Sequence, residues 1–188
     1  MKPVPAPRDA FGHQMWAFHE GGGSPFEVVE RDDGFMTAAR SHASYFDDIL
    51  RWSRPERLAI RFARGSTALD VGCGAGRVAL YLQAKGFRVT AIDNSPWVLK
   101  TAKARGVTDA RLLPFDQVGR FAADSFDTIV MFGNNFGLFG SHARARRLLK
   151  TLHRVTRPDA VLLPQSRDPH ETDEPAHRAY ARRNRRRG

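Results

Sequence analysis

The chain has 188 residues, of which 41% are hydrophobic and 27% charged, with 16 glycines and 11 prolines. One domain of that length buries a real core, and the composition excludes collagen, coiled coil and wholesale disorder. Cys73 is the single cysteine, which excludes an intramolecular disulfide and a cysteine zinc site and is compatible with a reducing compartment. The net charge of +10 points toward anionic partners, nucleic acid among them. Half of that excess is Arg182, Arg183, Arg185, Arg186 and Arg187, where a solvated helix face is the plainer reading. No apolar run has the length of a signal peptide core or a membrane helix, so no membrane partner is expected and the cytoplasm is the expected location.

Residues 1–24 are rich in Pro and Gly and read as a loose arm. Phe26 to Arg31, the turn Asp32-Asp33-Gly34 and then Phe35-Met36 carry a hairpin signal, and a plain turn fits equally well. Residues 44–52 place Tyr45, Phe46, Ile49, Leu50 and Trp52 near helical spacing. Residues 55–63 predict a helix with Pro55 near its first turn and Gly65 beyond its end. From residue 67 strands alternate with helices. The strands are 68–71, 87–92, 110–113, 127–132 and 160–163; the helices are 78–85, 96–105, 142–155 and 175–187. In 142–155, Leu148, Leu149, Leu152 and Val155 read as one apolar stripe. Strands joined by helices of this length need crossover connections. The fold class is therefore α/β: a doubly wound, mostly parallel sheet with helices on both faces. The chain divides into an N-terminal arm with a possible hairpin, 1–40, and one α/β domain, 41–188.

The chemistry concentrates in Leu69-Asp70-Val71-Gly72-Cys73-Gly74-Ala75-Gly76-Arg77, between the first strand of the sheet and its helix. Glycines there let the backbone turn sharply and let a ligand come close. Ligands of such sheets bind beyond the carboxyl ends of the strands. The dinucleotide spacing G-x-G-x-x-G fails, because the glycines are 72, 74 and 76 and position 77 is Arg; a Walker loop is absent.

A strand, an acid and then G-x-G-x-G resembles the first motif of the class I, Rossmann-like S-adenosylmethionine-dependent methyltransferases. Asp70, Gly72, Gly74 and Gly76 match it position by position, and Cys73 lies inside the loop. Asp93 ends the second strand, where the resemblance implies a carboxylate that binds the cofactor ribose, with Asn94 beside it. A helix cap is the other role open at this point, for which Asn94 and Ser95 also serve. Leu113-Pro114-Phe115-Asp116 followed by Ser125-Phe126-Asp127 resembles the family's stretch between strands three and four. It implies that Phe115 covers the adenine ring and Asp116 accepts from its amino group, with Asp109 as an alternative acid. The loop from Phe132 to Gly140, with Gly133 and Asn134, faces the methyl donor in the family.

The family resemblance implies a sheet order of 3-2-1-4-5. No strand-like run follows Leu163, so strands six and seven of the family are missing from the pattern. The domain is expected to be C-terminally incomplete or a minimal variant, with strand five at an exposed edge. The implied activity is transfer of a methyl group from S-adenosyl-L-methionine to a small-molecule acceptor by in-line displacement. RNA or protein methylation, favoured by the charge, and non-catalytic binding of the cofactor are the alternatives. The N-P-P-[YF] sequence of enzymes that methylate nucleobase amines is absent, and the seven histidines form no metal-binding pattern. No residue is singled out as a catalytic base. Tyr45, Phe46 and Trp52 read as packing residues, with a substrate wall as the alternative.

Overall fold

The computed structural model describes residues 2–23, 27–39, 42–168 and 171–187. After a 3-10 turn at Ala6–Arg8, helix α1 (Ala10–His19) begins at Asp9, whose carboxylate accepts from the Gly12 N–H at 3.0 Å. This corrects the loose-arm expectation. The prolines and glycines flank an apolar segment whose Met15 is fully buried against Ala75 and Val98. Strands β1 (Glu27–Glu30) and β2 (Met36–Ala39) form an antiparallel hairpin that pairs only with itself; Phe26 lies outside the described residues.

Residues 42–52 are two 3-10 turns, His42–Tyr45 and Ile49–Arg51, rather than the expected helix. Asp48 is extended and its carboxylate accepts from the Leu50 N–H at 3.0 Å, which restarts the chain between them. Helix α2 (Arg54–Ala59) follows behind a capping box made by Ser53 and Glu56, then runs into a 3-10 turn at Ile60–Phe62.

The main sheet takes its strands from β3 (Thr67–Val71), β4 (Arg88–Asp93), β5 (Ala110–Leu112), β6 (Phe126–Met131) and β7 (Thr156–Pro164). Helices α3 (Arg77–Ala84), α4 (Pro96–Ala104) and α5 (His142–Val155) connect them, and α6 (Pro175–Arg187) comes last. All neighbours are parallel in the order β5-β4-β3-β6-β7. Counting only sheet strands along the chain, that is 3-2-1-4-5, as the resemblance implied. Among the described residues no strand follows β7 or pairs with its outer side.

Side-chain alternation along the strands builds two cores. Ala68, Val89, Ala91 and Val130 face one side, with Val78, Leu82 and Leu99 from α3 and α4. Leu69, Val71, Ile92, Ile129 and Met131 face the other, where α5 supplies Leu148, Leu152 and Val155. Leu149 does not share that stripe: one residue on from Leu148 it is rotated about 100° around the helix and is 43% exposed.

At the amino ends of β3 and β6 a single carboxylate fastens the strands. Asp127 accepts from the N–H groups of Ser66 (2.8 Å) and Thr67 (2.9 Å), the Thr67 hydroxyl (2.7 Å) and Arg157 Nη1 (2.6 Å). Burial works to raise its pKa, but Arg157 and these donors overcome it and hold the carboxyl well below the usual range.

Helix α6 returns to the hairpin. The Arg31 guanidinium lies 4.3 Å from the ring centroids of both Phe35 and Tyr180, and Nη2 donates to the Ala176 carbonyl at 3.4 Å. Arg183 pairs with Asp32. The arginine-rich helix thus has a docked side as well as a solvated one. Among the described residues no helix is long and apolar enough to cross a membrane.

Candidate functional site

The β3–α3 loop folds back on the end of β4. The N–H groups of Gly72 and Cys73 both donate to the Ile92 carbonyl, at 2.8 and 3.1 Å. Gly72 and Gly74 have φ of +69° and +54°, a region costly for residues with a Cβ. A Cβ on Gly74 would also lie 3.0 Å from the Tyr45 ring. From the far side, Asn135 Nδ2 donates to the carbonyls of Val71 and Gly72, each at 2.9 Å.

This loop floors a cavity of about 270 Å³ at the carboxyl ends of β3, β4 and β6. Asp70, Gly72, Cys73, Gly74, Asp93, Asn94, Phe115 and Gly133 line it, as the sequence led us to expect. Three expected residues do not. Gly76 starts α3 and is small for packing, since a Cβ there would meet Val107 at 2.5 Å. Asp116 turns toward Arg144, 3.8 Å away. Asn134 takes a left-handed turn, and its side-chain oxygen accepts from the Arg167 N–H at 3.0 Å; its neighbour Asn135 faces the cavity instead. The alternative acid, Asp109, is outside the cavity too. It is occupied by the Thr90 hydroxyl at 2.8 Å and Arg111 Nε at 2.7 Å.

Sequence reasoning missed the N-terminal contribution. Val4, Asp9 and Phe11 line the cavity. Val4 N–H donates to the Asn94 carbonyl at 2.8 Å, and Asp9 Oδ2 accepts from the Ser95 hydroxyl at 2.6 Å. No local motif marks these residues, because the partners of Val4 and Asp9, Asn94 and Ser95, lie about ninety residues on, at the start of α4. Arg77 and Tyr45 also line the site. Arg77 is held by an ion pair with buried Glu56 and stacks over Trp52 at 4.9 Å. Tyr45 both packs on Met15, Ala75 and Val98 and lines the cavity, whereas Trp52 is buried in the core.

Two of the three acids that line the cavity, Asp70 and Asp93, have carboxyls shifted by burial. Asp70 is 2% exposed and its Oδ2 has no hydrogen-bond partner. Burial pushes its pKa up to about 7, with Arg77 and the Ala79 N–H pulling against it and Asp93 adding to it. Asp93 accepts from the N–H groups of Ser95 (3.0 Å) and Gly74 (3.3 Å). Burial still raises it to about 6, and Asp9 adds to the rise. The Cys73 thiol is pushed well up by burial and by both acids, which disfavours its thiolate form. Among the described residues no cluster of His, Cys, Asp and Glu could hold a metal ion.

A five-stranded parallel sheet with a glycine loop after its first strand and an acid closing its second is the arrangement of the class I, Rossmann-like S-adenosylmethionine-dependent methyltransferases. Residues 69–163, just over half of the chain, match a family described as methyltransferase domain, and the chain belongs to that family. A solved S-adenosylmethionine-dependent methyltransferase from Bacteroides fragilis, in complex with S-adenosyl-L-homocysteine, is 31% identical with a TM-score of 0.73. That likeness covers 86% of this chain and 65% of the other. YqeM of Bacillus subtilis (strain 168), whose name gives a methyltransferase and no acceptor, is 30% identical over 129 residues, 65% of this chain and 49% of its own. The glycine N-methyltransferase of Rattus norvegicus is 31% identical over 112 residues, 50% of this chain and 38% of its own. The chain thus spans about half or less of the length of these curated relatives.

Proposed function

We propose that the chain binds S-adenosyl-L-methionine in this cavity and transfers its methyl group to a small-molecule acceptor. The observation that carries the reading is the buried Asp70 carboxylate, with its Oδ2 unpartnered, in one cavity with Asp93. Two acids whose charged forms are disfavoured by burial define a site that a ligand's own cation and hydroxyl donors would stabilise. A ligand with an ammonium, a sulfonium and a ribose diol brings both. The glycine loop and the Asp93 carboxylate support the reading: the loop exposes backbone for close approach, and a carboxylate at the end of the second strand is of the kind that accepts from ribose hydroxyls.

When bound, S-adenosylmethionine supplies an activated methyl carbon on a positively charged sulfur. The protein's part is to bind, orient and exclude water. Asp70 and Asp93 offer negative charge on the loop side. Phe11, Tyr45, Phe132 and Leu138 supply apolar wall that keeps water away. Orientation alone can contribute up to about 7–11 kcal/mol toward a displacement between well-placed reactants. The likeness to an enzyme named for methylating glycine supports a small amine among the candidates.

Titration calorimetry with S-adenosylmethionine and S-adenosylhomocysteine tests the reading, followed by a panel of small amines, carboxylates and hydroxyl compounds with S-adenosylhomocysteine release as the signal. We expect saturable binding of both cofactor forms and turnover with a small acceptor. A folded sample that binds neither form overturns the proposal.

A further inference from the structure

Arg105 closes the C-terminal end of α4, the place where an arginine ordinarily serves the helix dipole or solvent. Here its guanidinium reaches across to two other segments. Nη1 donates to the Ala75 carbonyl at 2.6 Å and to the Tyr45 carbonyl at 3.2 Å, and Nη2 donates to the Phe46 carbonyl at 3.2 Å. The Phe46 ring lies 4.8 Å from the guanidinium carbon. None of these acceptors is a carboxylate. A charged, planar fork is spent on three main-chain oxygens, one in the glycine loop and two in the turn that carries Tyr45.

Both segments need an outside anchor. The 3-10 turn at His42–Tyr45 holds itself poorly, since such turns have weak internal hydrogen bonds. Ala75 sits between Gly74, whose N–H meets Asp93 Oδ2 at 3.3 Å, and Gly76, where α3 begins. The Tyr45 ring lies directly over Gly74, at the distance where a Cβ would touch it, and packs edge-on to Phe11 at 5.4 Å. Tyr45 and the glycine loop both line the cavity, and Arg105 bonds to the main chain of both segments.

We propose that Arg105 is a positioning residue of the methyltransferase site: by bonding Ala75, Tyr45 and Phe46 together it holds the aromatic wall over the glycine loop, so that the two grip the methyl donor as one unit. The inference rests on the reading of this cavity as the cofactor site. It predicts that Arg105 acts on binding through Tyr45, which a helix-end stabiliser does not do.

The test uses the full chain and four variants: Arg105→Gln, Arg105→Lys, Tyr45→Ala and the double variant Tyr45→Ala/Arg105→Gln. Calorimetry with S-adenosylhomocysteine gives the affinity, and hydrogen exchange reports the amides of residues 42–46 and 72–76. Loss of the charged hydrogen bonds in Arg105→Gln should weaken binding about tenfold or more and speed exchange in both stretches together. Arg105→Lys restores the charge without the fork, so it should recover thermal stability more fully than affinity. The double variant should bind within about twofold of Tyr45→Ala, because coupled groups are not additive. Additive losses, or an Arg105→Gln affinity within about twofold of the parent, overturn the proposal. If Arg105→Gln fails to fold, Arg105→Lys carries the same comparison: parental affinity there overturns the proposal. If the parent binds no S-adenosylhomocysteine, the functional reading fails by itself, and exchange still decides the clamp: unchanged rates in both stretches overturn it.

Discussion

The two ends of β3 use carboxylates in opposite ways. At its amino end Asp127 receives two backbone N–H groups, a hydroxyl and an arginine, and its charge is fully answered within the fold. At its carboxyl end Asp70 keeps one buried oxygen with no partner, and Asp93 stands with it at the cavity. The first acid has its pKa lowered and the others have theirs raised. The same residue type, on one sheet, is structural where its ligands are internal and available for binding where they are withheld.

The most severe way to break this contrast is to fill the open end. Gly74→Val places a β-branched side chain at positive φ against the Tyr45 ring. Strain and overpacking together should lower S-adenosylhomocysteine affinity about a hundredfold or more. Calorimetry on a sample shown to be folded by circular dichroism checks it; retained affinity sinks the loop assignment.

Removing one acid from each end should then separate binding from stability. Asp93→Ala should cost about 1.5–3 kcal/mol of cofactor affinity, as for hydrogen bonds to a charged group, without lowering the melting temperature near pH 8, because the burial penalty on its charge is removed with it. Asp127→Ala should cost about 1–3 kcal/mol of folding stability and leave the affinity unchanged. Denaturant unfolding beside calorimetry reads both. Equal effects of the two variants on both quantities would erase the distinction between the ends.

The smallest effect is the pH profile. Asp70 and Asp93 have folded pKa values of about 7 and about 6, above the unfolded value of about 3.9. Each therefore destabilises the ligand-free fold at alkaline pH, and that penalty is relieved as pH falls through the folded value. The ligand-free protein should melt higher near pH 5 than near pH 8. Asp70→Asn should flatten that slope. Asp127 has the opposite sign: its contribution is present above the unfolded value and is lost only on the strongly acid side. Melting curves across the range check the pair, and a slope unchanged in Asp70→Asn refutes the role given to that carboxyl.

From residue 67 on the fold was legible because local signals agreed: Gly86 and Gly106 end helices, Pro96 starts one, and the apolar runs are strand-length. The glycine loop and Asp93 were legible for the same reason, since motif, strand and helix coincide. Helix α1 was not. The helix depends on Met15 finding Ala75 and Val98, and on Asp9 finding Ser95 and Trp97, contacts no window of sequence contains. Residues 42–52 failed differently: their aromatic spacing suits a helix, but Asp48 breaks it with a local side-chain bond. At the cavity, Asn135 rather than Asn134 faces in because the left-handed turn at Asn134 rotates the chain by one residue.

The packing of α6 on the hairpin sets an order of assembly. Arg31 and Ala176 are joined across 145 residues, whereas the sheet pairs β3 with β4 and β4 with β5 over short crossovers. Long closures form late because the chain entropy must be lost before the contact rewards it. On a ribosome, which releases the amino end first, the hairpin therefore emerges early and waits. Its Arg31 stays between Phe35 and solvent until Tyr180 has been synthesised and released.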